Sequence, residues 1–271
     1  MDCRRLVYLI VFTCIAADTG HGQQLVSGSV TTPQAAALLS QSASALAGPT
    51  PLADVTLIGT AESIIGSEDE TGAVSLKATA SGQSRIDLSL SDGNHSEVRS
   101  LDASDNLVGS WSGPDGVQHP ISYHNLLTDS SWFFPALTMR RLAAVSGLVA
   151  TYIGPETLNG QSVLHASFLQ PAAETGANAA TIQHLTQIDA YFDTATFLPV
   201  ALSFVAHPDG NELIDIPVQI FFSNYQSVNG VQAPYRVQKM LNGTLVLDVH
   251  LQSVVLNSGL SASAFAVQPA Q

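Results

Sequence analysis

The chain has 2 cysteines, Cys3 and Cys14, and both lie near its N-terminus. Past residue 14 there is no thiol, which excludes disulfides, cysteine nucleophiles and thiolate metal sites from everything that follows. Charge is scarce as well. Asp, Glu, Lys and Arg make up 11% of the residues, against about 25% in ordinary soluble domains. Positive charge is the scarcer sign, with Lys+Arg 9 against Asp+Glu 22 and a net charge of −13. That balance argues against nucleic acid as a partner. Gly-rich phosphate loops and basic aromatic patches are absent from the sequence, and no apolar run beyond the N-terminus is long enough to span a bilayer.

What is present begins with a leader. Arg4 and Arg5 precede an uncharged apolar run from Leu6 to Ala17, followed by Asp18-Thr19-Gly20-His21-Gly22. The run is shorter than the roughly 20 residues of a membrane-spanning helix, so residues 1–22 read as a signal peptide, cut before Gln23 or after Ala17. Lipidation at Cys14 is the alternative, but Phe12 and Thr13 stand where a lipobox has small residues. The leader carries two basic and two acidic residues, so its loss leaves the net charge at −13. A periplasmic or secreted monomer whose stability rests on one core is the expectation, with residues 23–271 forming a single domain.

Periodicity divides that domain. Thr32 and Pro33 suit the start of an alanine-rich helix that Gly48-Pro49 ends. Period-two alternation follows at Val55/Leu57/Gly59/Ala61, Val74/Leu76/Ala78 and Ile86/Leu88/Leu90, with weaker strands near Val98 and from Leu107 to Trp111. The stretch near 119–145 reads instead as a helical lid insertion and holds the densest bulky residues, Trp132-Phe133-Phe134, Leu137 and Met139. Strands then resume. Asn159-Gly160, Asn229-Gly230 and Asn242-Gly243 each fall between apolar runs and predict type I′ hairpins. Further strands centre on Ile188, Phe204, Ile220, Val237 and Val249, with a tail strand near Phe265. The fold class is mainly β with a few helices: one continuous antiparallel meander of about ten or eleven strands, curled into an incomplete β-barrel covered by helices. A two-sheet sandwich is the alternative, disfavoured by the scarcity of long cross-connections.

The C-terminal half resembles the periplasmic lipoprotein-carrier (LolA-like) superfamily. Ile188-Asp189-Ala190-Tyr191-Phe192-Asp193 leads to Leu198-Pro199. Phe222-Ser223-Asn224-Tyr225 leads to Val228-Asn229-Gly230-Val231 and Pro234. Asn242-Gly243, Leu256-Asn257-Ser258-Gly259-Leu260 and Phe265 follow in order. The resemblance implies an open barrel whose hydrophobic concavity, closed by helices, takes acyl chains or lipoproteins. It also implies an arginine that latches the lid, for which Arg85, Arg140 and Arg141 are the candidates here.

The expected ligand-binding residues are Trp132, Phe133, Phe134 and Leu137 of the lid with Leu202, Phe204, Ile220 and Phe222 of the sheet. Their alternative role is plain core, since aromatic stripes at helical spacing usually pack. No catalytic residue, metal or cofactor is expected. Gly109-Ser110-Trp111-Ser112-Gly113 has Trp where a nucleophile elbow needs Ser. His119 and His124 with Asp115 and Asp129 lack metal-ligand spacing. His165 and His184 fall on predicted strands, and Glu68-Asp69-Glu70 reads as a solvated turn. The expected function is therefore non-enzymatic binding of an apolar ligand or lipidated protein, with transient membrane or lipoprotein contact. A sensor or scaffold for a protein partner, or a Ser/His hydrolase, are the alternatives.

Overall fold

The computed structural model describes residues 31–65, 68–171 and 177–267. The expected leader, 1–22, lies outside them. Helix α1 (Pro33–Leu46) is capped by the Thr32 hydroxyl, which accepts from the Ala35 amide at 3.3 Å. It buries Ala35, Leu38, Leu39, Ser42 and Leu46, one face at helical spacing. A first run of strands follows: β1 (Asp54–Ile65), β2 (Glu68–Thr79), β3 (Ser84–Leu90), β4 (Gly93–Leu101), β5 (Leu107–Ser112) and β6 (Gln118–Pro120). Helices α2 (Tyr123–Leu126) and α3 (Pro135–Ala144) come next. The second run is β7 (Val149–Leu158), β8 (Gln161–Leu169), then helix α4 (Ala177–Leu185), β9 (Ile188–Asp193), β10 (Pro199–Ala206), β11 (Ile216–Val228), β12 (Val231–Leu241) and β13 (Thr244–Leu256).

All thirteen strands join one antiparallel sheet in the order β6-β5-β4-β3-β2-β1-β13-β12-β11-β10-β9-β8-β7. The sheet is not closed, and the incomplete barrel expected from the sequence is borne out. Five details differ. Among the described residues there are thirteen strands rather than ten or eleven. They form two meanders, not one, joined where β1 pairs with β13 from Val55↔Leu256 to Ser63↔Leu247. The tail near Phe265 is a 3-10 turn (Ala262–Phe265) that packs on β3 and β4. Helix α4 is an addition, so His184 lies on a helix and not on a strand. Glu68-Asp69-Glu70 opens β2 instead of making a turn.

The three Asn-Gly hairpins have positive φ at both central residues: 50° and 81° at Asn159-Gly160, 50° and 86° at Asn229-Gly230, 48° and 74° at Asn242-Gly243. Cross-strand register then sets the inner face. Directly opposed residues point to the same side, and Leu57, Leu76, Ile86 and Glu97 stand in one row. Ala190, Leu202, Ile220, Lys239 and Leu247 form another. Curling depends on close backbone approach at Gly59 and Gly72. A β-carbon on either would run into the carbonyl of His250 or Ser89, and the β1–β13 register shifts at Ile58/Gly59, the mark of a bulge.

The two edge strands, β6 and β7, are the ones consecutive in sequence. The chain between them, residues 121–148, must therefore cross the mouth of the curled sheet from edge to edge. This strap carries α2 and α3. The β7 edge is also covered, since the Thr32 amide donates to the Ala150 carbonyl at 2.8 Å and the Tyr152 amide donates to the Thr32 hydroxyl at 3.0 Å.

Candidate functional site

The strap is fixed at its start by polar groups. Arg99, on the inner row of β4, donates to the Asn125 carbonyl at 3.0 Å and to the Thr128 hydroxyl at 2.8 Å. The buried Asn125 side chain donates to the His207 carbonyl at 2.8 Å and accepts from the His207 amide at 3.0 Å. Ser130 donates to the Gly82 carbonyl at 2.7 Å. Arg141 of α3 pairs with Asp129, and burial pulls its guanidinium down to about 10. These bonds reach both halves of the sheet, so the strap holds the two meanders in one curl. Arg99, which ties the strap to β4, is not among the arginines expected to latch the lid. Arg85 pairs with Asp87, Arg141 acts within the strap, and Arg140 donates to the Leu52 carbonyl near α1.

Arg99 belongs to a charged group on the inner face. It donates to Glu97 at 2.8 Å. Lys239, five strands away in sheet order, sits 4.9 Å from the centre of the Trp132 ring. Burial opposes ionisation of Glu97, but the charges of Arg99 and Lys239 prevail and hold its carboxyl below the ordinary carboxylate value. Burial lowers Lys239 against the opposing pull of Glu97. Two cations and one anion leave this interior net positive.

The eight residues expected to bind a ligand come together. Trp132, Phe133, Phe134, Leu137, Leu202, Ile220 and Phe222 are buried in one cluster, and half-buried Phe204 packs against it. The strap side chains fill the concave face, with Phe133 and Phe134 fully enclosed. A groove of about 790 Å³ runs along the seam between α1 and α3. Ala36, Leu39 and Ala43 line it from α1, and Ala136, Arg140 and Ala143 from α3. Leu52, Ala150 and Val231 complete it from the sheet side. The space follows from the sequence: short alanines on facing helices leave room that longer side chains would close. None of the eight expected residues lines this groove. Its volume falls within the roughly 300–1,000 Å³ of small-molecule sites.

The histidine and acid candidates separate. His119 stacks on Trp111 with ring centres 4.4 Å apart, Asp115 accepts from the Val117 amide of its own loop, and Asp129 is taken by Arg141. His165 bridges Glu156 at 2.8 Å and Asp189 at 3.3 Å. A group that the sequence did not reveal is His184, His207 and Asp215, whose candidate ligand atoms lie within 4.8 Å of one another.

No protein-family model matches the sequence, and no curated protein matches it either. Solved structures do resemble it. One is a domain from Vibrio parahaemolyticus described as outer-membrane lipoprotein-sorting, at 12% identity and TM-score 0.52, covering 86% of this chain and 96% of that one. A second is a DUF1329 family protein from Desulfovibrio piger, at 10% identity and TM-score 0.54, covering 88% and 98%. A LolA superfamily protein from Nitrosomonas europaea matches at 10% identity and TM-score 0.49, over 86% and 97%. Identities this low speak to architecture alone, and this chain shares the fold of the first two.

Proposed function

We propose that this protein is a non-enzymatic periplasmic or secreted binding protein that shelters an acyl chain, either free or attached to a lipidated partner. The alanine-lined groove between α1 and α3 carries the reading. It is open and mainly apolar, and Arg140 stands in its wall where a carboxylate or phosphate headgroup would lie. Burying ten methylenes there would gain about 8 kcal/mol before the entropy of association is subtracted. The LolA-like architecture supports the same reading, since the similar domain from Vibrio parahaemolyticus is described as lipoprotein-sorting. Trp132, Phe133, Phe134, Leu137, Leu202, Phe204, Ile220 and Phe222 become cargo contacts once α3 parts from α1 and the strap lifts from the sheet. Exposed Tyr123, Leu213 and Ile214, beside the β10–β11 loop, are the surface for transient contact with a membrane or lipoprotein. The binding unit is a monomer, and nucleic acid is not a partner.

The filled concave face favours a second reading, a sensor or scaffold whose curved sheet engages a protein. One experiment separates the two. Native mass spectrometry with organic extraction, followed by titration with a fluorescent fatty acid, should find close to one acyl equivalent. Replacing exposed Ser40 and Ala143 by Trp on the facing helices fills the groove without touching the core. That double variant is expected to weaken probe binding at least tenfold at unchanged Tm. A clean apo mass and no probe binding by the parent protein would overturn the acyl reading in favour of the protein partner.

A further inference from the structure

The outer face of the sheet carries a histidine between two acids, at the edge formed by β7, β8 and β9. Side chains alternate across a strand, so Asp189 and Tyr191 point away from the inner row that contains Ala190. His165 stands directly opposite Tyr191. Nδ1 of His165 is 2.8 Å from Glu156 Oε1 on β7, and Nε2 is 3.3 Å from Asp189 Oδ1 on β9. We propose that protonated His165 is a pH-sensitive clip that ties the far half of edge strand β7 to β9.

The geometry sets the charge of the ring. Ionised carboxylates accept hydrogen bonds and cannot donate them, so a ring with a carboxylate oxygen at each nitrogen has to supply both protons. A neutral imidazole carries one proton and satisfies one of the two acids. The imidazolium satisfies both. Tyr191 suits the same state, because its ring lies 24° from parallel to the imidazole with centres 4.3 Å apart, and an aromatic face attracts a cation. The phenol stays neutral, since burial and the Asp189 charge push it up to about 12. Glu156 and Asp189 are the acids that face the ring. Asp193, next on the same face of β9, is engaged by Gln161 and by the Ala195 and Thr196 amides of its own turn. Burial opposes the charge on His165, but the bonds and charges of Asp189 and Glu156 outweigh it and hold the ring above its ordinary 6.5.

What the clip holds follows from the two halves of β7. The near half is gripped on both sides, by β8 and by Thr31 and Thr32, which bond to Leu148, Ala150 and Tyr152. The far half, residues 153–158, lies past the register shift at Tyr152/Gly154 and includes Pro155, which has no amide to donate. Ile153 is 50% exposed there, and in sheet order the strand has β8 as its one neighbour. When pH rises through the folded value, the ring gives up one proton. Asp189 is 7% exposed and Glu156 41%, and a buried carboxylate loses more by forfeiting its donor. The remaining proton therefore stays on Nε2, and a lone pair on Nδ1 faces Glu156. That carboxylate turns to water, and the far half of β7 loses its tie. The contribution is full below pH about 6.5 and is lost as pH rises through the raised folded value. None of these residues lines the α1–α3 groove, so the clip does not depend on the acyl reading.

NMR titration of the histidine rings in the purified protein follows His165 directly, its resonance assigned by its loss in His165→Gln. The ring should titrate above 6.5, and Glu156→Gln, at an exposed position, should lower that midpoint by about half a unit or more. Amide exchange, corrected for its intrinsic pH dependence, gives the structural readout. Between pH about 6 and pH about 9, protection of the amides in 153–158 should fall about fivefold or more, while 149–152 keep theirs. In His165→Gln that step should vanish, with 153–158 poorly protected at both pH values. A ring that titrates at or below 6.5 overturns the proposal. So does protection of 153–158 that ignores pH, or a pH step that survives His165→Gln.

Discussion

The two ends of the strap differ in what holds them. At the β6 end Asn125, Thr128 and Ser130 are tied by directional bonds to β4, to the β2–β3 turn and to the β10–β11 loop. At the β7 end α3 lies along α1 across an alanine seam, with Arg140 reaching the Leu52 carbonyl and a 790 Å³ groove between the helices. Hydrogen bonds fix position because each partner left behind in a buried place is costly. An apolar seam lined by small side chains resists separation only weakly. The difference teaches that the two ends are held by unlike forces: directional bonds set where the polar end lies, and packing of small side chains holds the seam.

The largest expected effect tests what both ends share. Phe133 is fully buried between them, and Phe133→Ala should cost about 3–5 kcal/mol, read as a lowered urea midpoint. A loss under 1 kcal/mol would mean that the strap is not part of the cooperative core. Arg99→Met addresses the polar end alone. It removes two bonds to the strap and leaves Glu97 with one fewer cation, for an expected loss of about 2–3 kcal/mol. Amide exchange should quicken over residues 122–130 and stay slow in α3; equal loosening of both would break the comparison.

The smallest effect is pH-dependent and belongs to the seam. Asp54 accepts from the Ser258 amide and hydroxyl and from the Gly259 and Leu260 amides, bracing the segment whose Asn257 donates to the Pro51 carbonyl in the groove wall. Burial raises its pKa, but these bonds outweigh burial and hold it below the ordinary 3.8. Its stabilisation is full above pH about 4. It is lost as pH falls through the depressed folded value, because the unfolded chain binds the proton first. Asp54→Asn should flatten stability between pH 4 and 2 relative to the parent protein. An unchanged slope would show that another carboxyl governs that window.

What could be read from the sequence was local. The Asn-Gly turns were legible because positive φ at both positions has few solutions in sequence, and all three hairpins form there. Alternation placed Leu57, Leu76 and Ile86 on one face, where the register puts them. Aromatic density marked Trp132 to Phe134 as the covering segment. The β1–β13 seam was not legible, since nothing in either strand names its partner across the chain. Helix α4 was missed because Ala177–Leu185 lacks a strong apolar stripe. The groove was missed for a different reason: alanines that leave space look like alanines that pack. His184, His207 and Asp215 meet only once α4 and the β10–β11 loop are in place.

The seam between β1 and β13 also has a temporal consequence. Val55 must wait for Leu256, so the earliest strand to leave the ribosome meets β2 at once but finds its second neighbour only when nearly all of the chain has followed. Pairing across such a distance slows folding. Until it happens the protein is two half-sheets, each with an unpaired edge and a wet apolar face, the condition in which chains aggregate. Cell machinery that keeps the chain extended until its last strand arrives would thus be guarding a joint, and a truncation before β13 would cost the bond between the two halves rather than a single strand.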